Sequence, residues 1–248
     1  MRCIGTDTAR CLTTLAVRHV VAGLHPFCLL IAPPRLVLFT SFWTRGSLHP
    51  RATMADAEPQ AVAVSGPQHF LESEWVMWEH RAEDKKAKSC EDNMCKVCEM
   101  ATIEDFWRAF NNIPKPSQIF YDGKTKKKFA NRTVEAFSLF KKNIKPEWED
   151  PANRLGAEWH CRKMFPLQQL DELWRDIALG MIGETIDPLD DICGARVVDK
   201  SSGTRQLYRL ELWFKRKDQS VADELKKRMN EHLGPAAEKA CKWEMREH

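Results

Sequence analysis

Trp148 and Glu149 stand side by side in a stretch running from Lys145 to Pro151, pinched by Pro146 and Pro151, which cannot easily bury an indole. An exposed indole offers a stacking face to a flat base, and the carboxylate beside it can accept hydrogen bonds from that base's N–H groups. Guanine suits the pair best, because its N1–H and N2 amino group are two donors for one bidentate carboxylate, whereas adenine presents one. A second aromatic lies in Gln206–Lys215. Alternation there turns Tyr208, Leu210, Leu212 and Phe214 one way and Arg209, Glu211, Trp213 and Lys215 the other. Trp213 is thus expected on a polar face, either as a lone surface aromatic or as part of a ligand surface. Arg205 shares its parity, so two arginines and an indole line up as a phosphate path ending at an aromatic site.

The elements that must hold these residues are legible in the apolar spacing. Thr102-Ile-Glu-Asp105 is a capping-box-like start before Ile103, Phe106, Trp107 and Phe110 at helical spacing. Leu170, Leu173, Trp174, Ile177, Ala178 and Met181 keep that spacing over three turns. A third helix is predicted from Ser220, with Asp223 three residues on, to Gly234-Pro235. Trp75–Glu79, Glu158–Lys163, Ile192–Asp199 and Gln206–Lys215 read as strands, with Lys200–Thr204 a polar hairpin turn. Helices among antiparallel hairpins predict an α+β domain with one sheet face covered.

With 248 residues, 43% of them hydrophobic, the chain can bury one good-sized core and carry an appended segment. The net charge of +3 is concentrated at the start: residues 1–53 hold six arginines against Asp7 alone, so the remainder is slightly acidic. A globally basic nucleic-acid binder is thereby excluded, and any phosphate binding must be local. Residues 1–53 lack lysine and fit either a transit peptide or a misplaced start codon, since Met54 opens a plausible N-terminus; residues 54–68 read as a flexible lead-in to a domain over 69–248. The nine cysteines lack the regular spacing of a secreted scaffold, so a reducing compartment is expected.

The order Trp75-x-x-Trp78, Ile103-Glu-Asp-Phe-Trp107, Ser138-Leu-Phe140, Trp148-Glu-Asp150, Trp159, Trp174, Ile182-Gly-Glu184, Asp191-Ile-Cys-Gly-Ala195 and Trp213 resembles the translation initiation factor 4E family of mRNA cap-binding proteins. The resemblance implies a single curved antiparallel sheet with three helices on its convex face, and 7-methylguanosine bound on the concave side. It makes Trp148 the stacking residue, Glu149 the reader of the base edge and Trp213 the contact to the N7-methyl group. Lys200, Arg205 and Arg209 become candidates for the triphosphate, in a hairpin about four residues longer than the family's. The implied protein is a cytoplasmic, monomeric, non-enzymatic factor that takes capped mRNA and an initiation factor 4G-type scaffold or 4E-binding protein. The rival reading is a protein of the same fold with little cap affinity, acting as a regulator or decoy.

Several positions depart from the family. Counting back from Trp107, the second stacking tryptophan is replaced by Cys90, as in one divergent class that binds cap from one side. Glu158 falls where an arginine serves the phosphates, and would repel them. The sequence also stops soon after Trp243, short of the loop that usually closes over the cap. An insertion between Ile119 and Phe137 carries Lys124, Lys126, Lys127 and Lys128, read as a solvated loop, with contact to mRNA phosphates the less favoured role.

For the scaffold helix, the resemblance implies a convex groove of His69, Leu71, Ile103, Trp107, Asp176, Leu179, Gly183 and Glu184, with Arg175 where an apolar residue is usual. Spacing alone puts Trp107 in the core. Trp75, Trp78, Trp159 and Trp174 read as core or rim residues. Cys90, Cys95 and Cys98 with His80 offer a single Cys-x-x-Cys half-site, so free thiols and no metal or cofactor are expected. No Ser/His/Asp set, phosphate-cradling glycine loop or HExxH motif supports catalysis.

Overall fold

Period-two alternation in β6 (Tyr208–Phe214) sends Tyr208, Leu210, Leu212 and Phe214 into a large core and turns Arg209, Glu211 and Trp213 to the other side. The same division runs across the sheet. The computed structural model describes residues 67–82, 93–122, 124–129, 132–187 and 189–248; the extension at 1–53, nearly all of the lead-in at 54–68, and Cys90 lie outside them. Among the described residues, β6 joins β1 (Phe70–Arg81), β2 (Met94–Thr102), β3 (Val134–Lys141), β4 (Ala157–Lys163), β5 (Ile192–Asp199) and β7 (Glu244–Glu247) in one antiparallel sheet, ordered β2-β1-β3-β5-β6-β4-β7. Helices cover one face: α1 (Ile103–Asn112), the single turn α2 (Pro116–Ile119), α3 (Leu167–Ile182) and α4 (Gln219–Ala240).

Local chemistry accounts for the helix ends. The Thr102 hydroxyl accepts from the Asp105 N–H at 3.1 Å, satisfying an orphan donor at the start of α1. In α3, Leu170, Leu173, Trp174, Ile177, Ala178 and Met181 are all buried, as their spacing predicts. Gly234 was expected to end the third helix. It interrupts α4 at φ 79°, which glycine tolerates, but the chain resumes helical geometry from Pro235 because proline is accommodated in a first turn. Trp159 anchors this helix to the sheet by donating Nε1–H to the Ala222 carbonyl at 2.8 Å.

The opposite, open face carries a small cluster of Phe140, Cys193 and Trp213. Gly194 makes it possible: a Cβ there would lie 2.5 Å from the Leu139 carbonyl oxygen and collide with the Phe140 ring. Gly194→Ala should therefore destabilise the fold by about 1–3 kcal/mol, as overpacking does. Thermal unfolding of the purified variant checks this.

β1 places His80 on the open face, whereas Cys95 and Cys98 lie opposite Glu79 and Met77 on the helix-covered face. His80 Nε2 is engaged 2.7 Å from the Ser138 hydroxyl, and burial, aided by Arg196, lowers its pKa to about 3. The sheet therefore separates the histidine from those two thiols.

Candidate nucleotide-binding site

The loop between β3 and β4 is tied from within. Asn153, fully buried, donates through Nδ2 to the carbonyls of Lys145 and Glu147 at 2.8 and 2.7 Å, and Asp150 accepts from the Lys145 and Ala152 N–H groups. These bonds hold Trp148 at the surface with 47% of its area exposed, and Glu149 is exposed beside it. The indole is thus presented on a rigid support.

Trp213 differs from expectation. It lies on the face opposite the main core, but it is 1% exposed and not a surface aromatic. Phe140 meets it edge-on at 5.4 Å, the Arg196 guanidinium lies 5.5 Å from its ring centre, and its Nε1–H donates to Glu211 Oε2 at 2.8 Å. Its remaining side is covered by His248, whose ring centre is 4.4 Å away. Sheet parity alone could not reveal that a distant strand end would be laid over it.

That strand is β7. His248 stands between the two indoles, near-parallel to Trp148 at 6.1 Å, and its Nδ1–H donates to the Asn153 carbonyl at 2.9 Å. Arg246, two residues earlier, places its guanidinium 4.7 Å from the Trp148 ring centre. One face of the exposed indole thus already carries a flat cation.

Beneath these rings the register builds a lattice of alternating charge. Glu158 on β4 lies opposite Trp213 on one side and Arg246 on the other, and Glu211 on β6 lies between Arg196 and His160. Both carboxylates are fully buried. Glu158 is met by Arg246 at 2.9 Å, His160 at 3.5 Å and His248 at 3.7 Å, and Glu211 pairs with Arg209 and, at 3.7 Å, with Arg196. Burial alone would raise the Glu158 carboxyl. The contact with His248 and the charges of Arg246, Arg209 and His160 outweigh it and hold the group below the usual carboxylate value. Glu158 therefore does not confront a phosphate as a bare charge, since its neighbours have already balanced it.

The phosphate candidates separate. Arg209 is committed to Glu211, whereas Lys200 and Arg205 are exposed at the hairpin. Arg205 precedes β6 in the turn, bridged to Ser202, and so leaves the row that strand parity implied. Desolvation, and after it the charge of Arg209, lowers the Lys200 pKa. Arg196, Arg246 and His248 were missed by sequence reasoning. Arg196 carried a signal, being a charge flanked by Ala195 and Val197 within an apolar strand; Arg246 on β7 and His248 just past it carried none.

On the covered face, the groove residues surround α1 and α3. His69 Nδ1 lies 2.7 Å from Glu104, its carbonyl accepts the Ile103 N–H, Leu71 and Ile103 are buried, and Trp107 and Leu179 are half-buried against the core. Trp107 is thus neither fully core nor free. Gly183 caps α3, and Asp176 holds Arg175, which points the unusual charge along the helix surface. Burial raises the Glu184 carboxyl to about 7, so near neutral pH much of it is uncharged.

Helices over one face of a single sheet, and packed aromatic and charged side chains on the other, define an α+β module of one open sheet. The family model for eukaryotic initiation factor 4E matches residues 70–248, and the chain belongs to that family. Among curated relatives, initiation factor 4E of Candida glabrata is 28% identical over 189 residues, covering 76% of this chain and 81% of that one. Initiation factor 4E1 of Drosophila melanogaster is 38% identical over 129 residues, covering 52% of this chain and 44% of its own length. The chain thus spans less than half of the fly relative. Among solved structures, Ascaris suum eIF4E-3 with m7G cap superposes with a TM-score of 0.59 at 27% identity, covering 73% of this chain and 92% of that chain. The Caenorhabditis elegans eIF4E-3 complex with the 4E-binding protein Mextli and cap analog gives 0.54 at 27% identity, covering 67% and 86%.

Proposed function

We propose that this chain binds the 7-methylguanosine cap of mRNA between Trp148, Glu149 and the β7 side chains, and passes the message to an initiation scaffold or withholds it. The observation that carries this reading is the Arg246 guanidinium lying over the exposed Trp148 ring. N7-methylation makes guanine a flat cation as well, and a cation over an indole gains roughly 0.5–2 kcal/mol that plain guanine forgoes. Glu149, adjacent to that ring, is the candidate acceptor for N1–H and the N2 amino group. The relatives solved with m7G cap and with the 4E-binding protein Mextli support the same ligand, and a partner helix in the groove of His69, Trp107 and Leu179. Binding requires no bond making or breaking, so the proposed role is non-enzymatic. Its site is the cytoplasm, and no helix among the described residues is long and apolar enough to cross a membrane.

Titration of intrinsic fluorescence tests the reading. 7-Methyl-GTP should quench Trp148 at concentrations where GTP does not. The rival, a 4E-fold regulator with little cap affinity, is favoured by the covering of Trp213 by His248. Quenching by neither nucleotide would establish that rival.

A further inference from the structure

The lysine-bearing insertion is not a free loop. Tyr121 and Lys126 pair as an isolated β-bridge, the Lys127 N–H donates to the Phe120 carbonyl at 2.7 Å, and Asp122 accepts from the Lys124 and Thr125 N–H groups at 2.8 Å. The folded loop is fastened to the β5–β6 hairpin, some 75 residues on in sequence: Lys126 Nζ donates to the Asp199 carbonyl at 3.1 Å, and the Tyr121 hydroxyl donates to the Gly203 carbonyl oxygen at 3.5 Å. Lys127 is spent on the carbonyls of Ser117 and Gln118. Lys126 is shared with Glu135 and Asp199. Lys124 and Lys128 are left exposed, next to a hairpin that exposes Lys200 and Arg205.

We infer that Lys124 and Lys128, fastened to this hairpin, form a ledge for the phosphates of the RNA that follows the cap. The register rests on the cap-binding reading. From Trp213 to Tyr208 the sheet runs five residues, roughly 17 Å at about 3.3 Å per residue. A triphosphate leaving the cap site occupies that stretch on the way to Lys200, and only the nucleotides beyond it arrive at the ledge. The nearby acids are directed elsewhere: Asp122 accepts from its own loop backbone, Asp199 is buried near Lys126, and Glu135 lies 3.8 Å from Lys126. Cations held in place by a folded loop exchange counter-ions with a phosphate chain without first having to order themselves.

The test compares the full chain with Lys124→Gln/Lys128→Gln on three ligands: 7-methyl-GTP, a capped RNA of about ten nucleotides, and the same RNA uncapped, each across a salt series. The doubly substituted protein should bind 7-methyl-GTP unchanged, bind capped RNA on the order of tenfold more weakly near 0.1 M salt, and lose about 0.7 per lysine from the slope of log affinity against log salt. Equal capped-RNA affinity and slope in both proteins would overturn the ledge. So would a matching loss for 7-methyl-GTP, which would place the lysines on the cap itself. Should the unaltered chain fail to distinguish 7-methyl-GTP from GTP, the cap reading fails. Uncapped RNA then judges the ledge alone, by the same change of slope.

Discussion

Glu158→Ala is expected to lower the stability of the folded domain by about 3–5 kcal/mol, the range for leaving buried charges without their partner. The carboxylate is fully enclosed and meets Arg246, His160 and His248. Its removal strands these groups where water cannot replace the lost counter-charge. For a domain of this size the loss corresponds to a fall of roughly 6–20 °C in melting temperature, read by calorimetry. The pH dependence carries a sign of its own. A carboxyl held below its unfolded value stabilises the fold above that value, and the contribution disappears as pH falls through the folded one. The unaltered chain should therefore lose stability in acid, and Glu158→Gln, which cannot titrate, should show a flatter acid limb. An unchanged melting temperature in Glu158→Ala would mean that the lattice is solvated and contributes nothing.

Trp148→Ala should act in the opposite way, on binding without folding. The indole is half outside the protein, so its loss falls within the roughly 0.5 kcal/mol typical of surface changes. Stacking on one base is worth about 1–3 kcal/mol, and the affinity for 7-methyl-GTP should drop roughly five- to 150-fold. Trp148→Phe should recover part of the loss. A variant that binds as tightly as the unaltered chain would move the ligand elsewhere.

Legibility from sequence followed the strength of local pattern. Ile192–Asp199 and the apolar stripe of α3 were readable because burial there is decided by the residues themselves. β2 was not: it exposes Lys96 and Val97 about a register shift against β1, so neither alternation nor apolarity marks it. β7 is four residues long, two of them acidic. Its existence depends on β4 being there to receive it. The site divides likewise. The exposure of Trp148 follows from two prolines in its own loop, whereas the burial of Trp213 follows from His248, Arg196 and Phe140, which three other strands deliver. No window of neighbouring residues contains that information.

The interleaving of Glu158, Glu211 and Glu244 with Arg246, Arg196 and His160 has a kinetic consequence. Fields from closely interleaved opposite charges cancel within a few ångströms, so on the cap-binding reading this face draws no anion from afar, and association there should proceed at the unsteered pace of about 10⁵–10⁷ M⁻¹s⁻¹. Long-range capture then falls to the exposed lysines at the far end of the sheet. On the same reading, Trp148 and its neighbours govern how long an arriving nucleotide stays.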